Sequence, residues 1–285
     1  MTEVLRYAAF TTTPDGGNPA GVVLDAAGLD DAAMLAIAAD VGYSETAFVT
    51  GPATGQDGPG LHLDVRYFSP LAEVPFCGHA TIATAVAHAE RRGPQDLVLH
   101  TRSGPVGVRV ADVDGRPAAT LTSVPPHTEQ VADADLDEAL AALGWARTDL
   151  DPALPPRVAF AGARHLVVGA ATRERLARLD YDMPRLGALM AARDWTTLQL
   201  AWRESSDTFR VRDPFPPGGV VEDPATGAAA AALGGYLRDL GLVEPPADLV
   251  LHQGAELGRP SLLRVHVPAG DAGIEVTGHA VPMTP

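Results

Sequence analysis

The chain of 285 residues has a single cysteine, Cys77, and few cationic side chains: 21 Lys and Arg against 36 Asp and Glu, a formal net charge of −15. One cysteine excludes an internal disulfide framework and a multi-cysteine zinc site, and fits a reducing compartment. An acidic chain without a basic stripe is a poor candidate for binding a phosphate backbone, so no nucleic-acid partner is expected. The charge serves solubility, and an anionic substrate would need local positive potential in a cleft. No run is long and apolar enough to span a membrane, and the start, Met1 to Tyr7, has no apolar signal core. A cytoplasmic protein without membrane contact is the expectation. No Gly-x-Gly-x-x-Gly follows a strand pattern, which speaks against a doubly wound dinucleotide fold. No His-Glu-x-x-His is present, and the nine histidines are scattered, so neither a metal nor another cofactor is expected.

What the chain does have is a repeat. Asp96-Leu97-Val98-Leu99-His100 returns letter for letter as Asp248-Leu249-Val250-Leu251-His252, and Val65-Arg66 returns as Val211-Arg212. The spacing between Val65 and Val211 carries Cys77 onto Asp223. Cys77-Gly78-His79-Ala80-Thr81 and Asp223-Pro224-Ala225-Thr226-Gly227 each open an alanine-rich helical stretch. A duplicated chain that sets different reactive groups at matched points implies one site shared by its two copies.

Both halves read as strands interleaved with helices. Strand patterns run over 5–10, 21–24, 61–68, 97–101 and 106–110, and then over 157–160, 166–168, 208–211, 249–251 and 262–267. Residues 30–40 form a helix pattern with Asp30 or Asp31 as N-cap, and 136–143 form an amphipathic one. The stretches 79–90 and 225–237 are alanine-rich and mostly small or apolar around their circumference, the signature of a buried helix. Each half is therefore expected to wrap a curved sheet around one central helix, an α/β (α+β) architecture. Pro125-Pro126 block both helix and central strand, which sets the halves at 1–125 and 126–285 with the last strand free to return to the first. Pro152 to Pro156 reads as a loop.

The chemistry-bearing candidates cluster at the helix starts. Gly78 and the Thr226-Gly227 pair put unpaired backbone N–H groups and the positive end of a helix dipole where a small carboxylate could bind without Arg or Lys. A tight turn before a helix reads as well for Thr226 and Gly227. Glu45, in Gly42-Tyr43-Ser44-Glu45-Thr46-Ala47-Phe48, sits between a helix and a β-like run. A lone Glu in a loop is usually a solvated surface group. Burial by the flanking Tyr43 and Phe48 would instead make it a general acid/base. The second half offers no matching carboxylate in Trp195-Thr196-Thr197-Leu198-Gln199, so proton chemistry would be asymmetric. His79 reads equally as a cap residue, a core histidine or a catalytic group. Cys77 reads as a small buried hydrophobe, or as a thiol activated by the helix N-terminus. Asp223 follows Glu222, and strand alternation lets only one of the two face a cleft.

Gly17-Asn18-Pro19-Ala20-Gly21-Val22, Ser44-Glu45-Thr46, Cys77-Gly78-His79-Ala80-Thr81 and Glu222-Asp223-Pro224-Ala225-Thr226-Gly227 occur in an order and spacing that resembles the PhzF-like (phenazine-biosynthesis isomerase-like) family. The resemblance covers almost the whole chain. It implies the diaminopimelate epimerase fold: two pseudo-symmetric halves, each a rolled mixed sheet around a central helix, with a cleft between them. It implies a cofactor-independent isomerase of a small carboxylate-bearing amino or hydroxy cyclic acid. Glu45 would shuttle the proton and His79 and Asp223 would assist. Gly78, Thr226 and Gly227 would hold the carboxylate, with Asn18, Ser44 and Cys77 beside the substrate. Related epimerases and racemases oppose two cysteines, whereas here Asp223 replaces the second. An epimerase using Cys77 with Asp223 or Glu45 is the second reading, and a metabolite-binding protein without turnover is the third. A hydrolase using Cys77 and His79 is weakest, because adjacent positions on one turn rarely give a line of attack. The expected partner is a small anionic substrate, and a homodimer is compatible with the sequence.

Overall fold

The computed structural model describes residues 2–54 and 58–284. The chain divides into two compact units, Met1–Thr122 with Thr277–Pro285, and Ser123–Val276. The first contains β1 (Leu5–Ala9), β2 (Asn18–Val23), α1 (Asp31–Val41), β3 (Glu45–Pro52), β4 (Leu61–Phe68), β5 (Glu73–Val74), α2 (Gly78–Arg92), β6 (Leu97–Thr101), β7 (Gly104–Val113) and β8 (Arg116–Thr122). The second contains β9 (His127–Gln130), α3 (Asp133–Leu143), β10 (Arg157–Phe160), β11 (Arg164–Gly169), α4 (Arg173–Ala177), α5 (Met183–Arg193), β12 (Thr197–Arg203), β13 (Thr208–Phe215), β14 (Val220–Asp223), α6 (Gly227–Asp239), β15 (Ala247–Gln253) and β16 (Ser261–Val267). The last strand, β17 (Glu275–Pro282), begins in the second unit and finishes in the first.

In the first unit, strands pair in the order β1, β2, β3, β4, β6, β7, β8. β17 pairs with both β8 and β1 and closes the sheet into a barrel. In the second unit the order is β9, β10, β11, β12, β13, β15, β16. The senses match step for step. β1–β2, β3–β4 and β6–β7 are antiparallel and β2–β3 and β4–β6 parallel. So are β10–β11, β12–β13, β15–β16 and β11–β12, β13–β15 in turn. The register repeats as well: His62, Leu63 and Asp64 pair with Val98, Leu99 and His100 as Thr208, Phe209 and Arg210 pair with Val250, Leu251 and His252. The sequence repeat therefore marks equivalent strands in equivalent register.

Each parallel step β4–β6 and β13–β15 needs a crossover, and α2 and α6 supply it from inside the curve of the sheet. Every residue from His79 to Ala89 is buried, as is every residue from Ala229 to Leu237. Alanine and glycine let the strands approach: a Cβ added at Gly235 would lie 2.5 Å from Pro126. Gly235→Ala gains about 1 kcal/mol of helix propensity but loses about 1–3 kcal/mol to overpacking. A net loss of stability in chemical denaturation is expected.

The remaining helices cover outer faces. α1, capped by Asp30 accepting from the Ala33 N–H at 2.8 Å and ended by left-handed Gly42, packs Met34 and Ala38 onto Val23, Phe48 and Phe68. α3 and α5 pack Leu136, Leu140, Leu186 and Met190 onto Leu166, Val168, Leu198 and Leu200. Residues 152–156 lie outside helices and strands.

Candidate active site

Glu45 is the first residue of β3, not a loop residue, and pairs across the parallel ladder with Ala20 of β2. Its side chain is 17% exposed. Phe48, expected to help bury it, does not: it lies three residues on, on the opposite pleat, in the outer cluster under α1. The neighbours are Cys77 and His79. Cys77 Sγ lies 3.5 Å from Glu45 Oε2 and 3.4 Å from His79 Nδ1, and His79 Nε2 lies 3.5 Å from Glu45 Oε2. Ser44 Oγ closes the group at 3.4 Å from His79 Nε2. Both Cys77 and His79 are buried. Asn18, two residues before Ala20 in β2, is buried on the same pleat.

Local structure sets this geometry. Cys77 is the extended N-cap of α2, and its side chain does not cap the helix, so the sulfur stays directed at Glu45 and His79. Thr81 holds the first turn by donating its hydroxyl to Cys77 O at 2.8 Å, and it shares a 2.6 Å bond with the buried Tyr67 hydroxyl. Nothing lies within 4 Å of where a Cβ would stand on Gly78, and its φ is not in the left-handed region. Packing and backbone strain therefore do not demand glycine there. Of the described residues, Glu45, Cys77 and His79 alone form a group of acidic, thiol and imidazole atoms within 4.8 Å of one another. A carboxylate, a thiolate and an imidazole are all zinc-ligand types. No sequence motif marks this set, because its donors come from two segments that only folding brings together.

In the second unit Asp223 ends β14, ahead of the start of α6, and is buried with Glu222. Thr226 donates its hydroxyl to Asp223 Oδ2 at 2.6 Å. The Thr226 N–H is bonded to Gln253 Oε1 at 3.1 Å, so it is not the open anion donor expected from the sequence. Gly227 remains at the first helical position, where N–H groups lack intrahelical partners. Gln253 donates to Asp223 O at 2.8 Å and to Thr226 Oγ1 at 3.0 Å, a clamp on the helix start that no motif had indicated. Glu222 turns the other way, into a two-pronged pair with Arg212. The place of Glu45, first in its strand, is taken by Thr197, fully buried and bonded to His165 Nδ1 at 2.8 Å. The second unit thus has no carboxylate at that point.

A sheet rolled around a buried helix, built twice in one chain, is the fold of the epimerase-like isomerases. Residues 7–284 match the phenazine biosynthesis-like protein family, and the chain belongs to it. It is 36% identical over 295 residues to an uncharacterized isomerase of Mesorhizobium japonicum, covering 97% of this chain and 95% of that protein. It is 34% identical over 259 residues to the trans-2,3-dihydro-3-hydroxyanthranilate isomerase of Pseudomonas fluorescens, covering 90% of this chain and 86% of that one. The crystal structure of a Bacillus anthracis phenazine biosynthesis protein of the PhzF family superposes with a TM-score of 0.88 at 26% identity, covering 99% and 97% of the two chains. The protein is an isomerase of this family. Among the described residues, no helix is long and apolar enough to cross a membrane.

Proposed function

We propose that the protein isomerises a small cyclic acid bearing a carboxylate and an amine or hydroxyl, by moving one proton without a cofactor. The contact of Glu45 with Cys77 and His79 at 3.5 Å is the observation that carries this reading. The Glu45 carboxylate takes a proton from a carbon conjugated with the acid group. The C–H electron pair moves into the conjugated system, and Glu45 returns the proton to a different carbon. Nothing is oxidised or reduced, which is why no cofactor is called for. His79, held by Ser44, lies against Glu45 and orients it and the substrate; the role the resemblance gives Asp223 is a hydrogen bond to the substrate's amine or hydroxyl. The isomerase of Pseudomonas fluorescens acts on an anthranilate-type acid, which carries both a carboxylate and an amine. The test is a screen of such acids for solvent-hydrogen exchange in heavy water. Exchange at carbon supports the reading, and none with any ligand that binds would reduce the protein to a binder.

Each helix start is a candidate anion subsite in its own unit, through the N–H groups at Gly78, with Asn18 beside the substrate, and at Gly227. The open space at Gly78 supports the first. Calorimetry with an acid ligand and its amide is expected to show the amide weaker by about 1.5–3 kcal/mol, the size of a lost charge-assisted bond. Equal affinities would leave Gly78 and Gly227 as turn residues only.

The second reading, an epimerase using the Cys77 thiol, draws on its contact with Glu45. Cys77→Ala separates the two. Most exchange activity is expected to survive, because the position matching Cys77 holds Asp223 and no second thiol is present. Complete loss in a folded variant would make Cys77 the base.

A further inference from the structure

Five of the twelve buried side-chain polar atoms that have no hydrogen-bond partner among the described residues belong to one inner face of the second unit. They are His165 Nε2, both amide atoms of Gln199 and both carboxylate oxygens of Asp213. All three residues are fully buried. The antiparallel register sets Asp213 of β13 directly opposite Asp223 of β14, which places their side chains on one face with Cβ atoms about 4.5–5.5 Å apart. The register that pairs Leu200 with Arg212 brings Gln199 of β12 level with Asp213. Alternation then separates two chemistries. Leu200 and Arg212 turn to the face covered by α3, α4 and α5, while Gln199 and Asp213 turn to the opposite one. A fully buried carboxyl whose nearby donors, Thr226 and Gln253, are already engaged with Asp223 costs free energy, so its persistence calls for a role.

We propose that Asp213 is a positioning residue for the isomerase, holding the Asp223 carboxylate in place from behind through a buried polar row that includes Gln199 and Gln253. The proposal rests on the assignment of Asp223 to the substrate. Burial pushes the Asp213 carboxyl well above the ordinary carboxylate range. Thr226 and Gln253 oppose that shift, and the charges of Asp223 and Glu222 add to it. The other groups on this face carry no positive charge: burial pushes His165 down to about 3, and Gln199, Thr226 and Gln253 do not titrate. The shift favours the protonated form of Asp213, which is a donor. Asp223 already accepts the Thr226 hydroxyl at Oδ2; in the proposed role a neutral Asp213 turns its proton toward that carboxylate, where a second anion would repel it.

Two measurements on the full-length protein test this without using turnover, so failure of the Glu45 assignment and failure of this one are told apart. The infrared spectrum at neutral pH should hold the C=O band of a buried protonated carboxyl, retained in Glu45→Gln and lost in Asp213→Asn and Asp213→Leu. Its absence from the unsubstituted protein overturns the proposal even if no variant folds. Carbon-13 titration of the Asp223 carboxyl should show its midpoint raised by about one pH unit or more in Asp213→Leu, which cannot donate, a shift typical of a lost hydrogen bond to the charged form. Asp213→Asn, which keeps an N–H donor, should stay near the unsubstituted value. An unchanged midpoint in folded Asp213→Leu, or an Asn variant shifted as far as the Leu one, removes the positioning role.

Discussion

Glu45→Gln is expected to lower turnover on a confirmed substrate by about a hundredfold or more, while the fold and ligand binding persist. Glutamine keeps the volume and hydrogen-bonding reach of glutamate, so the contacts with Cys77 at 3.5 Å and His79 at 3.5 Å survive in outline. What disappears is the proton acceptor. The second unit offers no replacement, because the equivalent strand begins with Thr197, whose hydroxyl is bonded to His165. Cys77 and His79 are the neighbours that could take over. The double variant Glu45→Gln/Cys77→Ala therefore reports whether any residual activity passes through the thiol. Turnover within a few-fold of the unsubstituted enzyme in Glu45→Gln would sink the assignment of Glu45 as the proton carrier.

Arg212→Met should cost about 3–5 kcal/mol of folding stability, the usual result of stranding one member of a buried ion pair. Arg212 and Glu222 meet through two parallel N–H···O bonds, and their side chains are 8% and 0% exposed. Arg212 also donates to Ala177 O at 2.8 Å, so it ties the end of α4 to the sheet. The repeat supplies an internal control. Arg66 occupies the matching place and pairs with Glu73 in the same two-pronged way, but at 27% and 11% exposure and with Asp31 as a second acceptor. Hydrogen bonding to Arg66 holds the Glu73 carboxyl below its usual range. The stability this contributes is present above the ordinary carboxylate pKa and is lost as pH falls through the folded-state value. Arg66→Met should cost less than Arg212→Met, since Glu73 keeps Arg102 at 2.7 Å and lies within reach of water. Equal losses in chemical denaturation would show that burial is not what sets the cost. The double change Arg212→Met/Glu222→Leu should recover most of the loss, because no buried charge is then left alone.

Several features of the fold are open to a reader of the chain. The two buried helices announce themselves through alanine-rich stretches with no polar side. The strands at Leu61–Phe68, Leu97–Thr101 and Arg157–Phe160 match their sequence patterns residue for residue. Asp30 caps α1 as its type and position predict. These succeed because periodicity and capping are local, set by a few neighbouring residues. The duplicated pentapeptide is legible for a different reason. Equivalent strands in equivalent register face equivalent neighbours, so His100 and His252 pair with Asp64 and Arg210 at the same rung.

The site is legible only in part. The candidates could be named from four short motifs, yet their environment could not. Phe48, three residues from Glu45, was expected to bury it, but strand pleating sends the two to opposite faces. Cys77 and His79 bury it instead, and they arrive from 32 and 34 positions away. Thr226 was expected to leave its N–H open, but Gln253, 27 positions on, takes it. Asp213 carries no motif at all. Its burial, its orphaned oxygens and its place opposite Asp223 exist only once β12, β13 and β14 are paired. Pattern and composition settle which segments become helix or strand, because those choices are made within a few residues. Which side chains end within hydrogen-bond reach is decided by strand register and helix placement, and these depend on contacts across the chain.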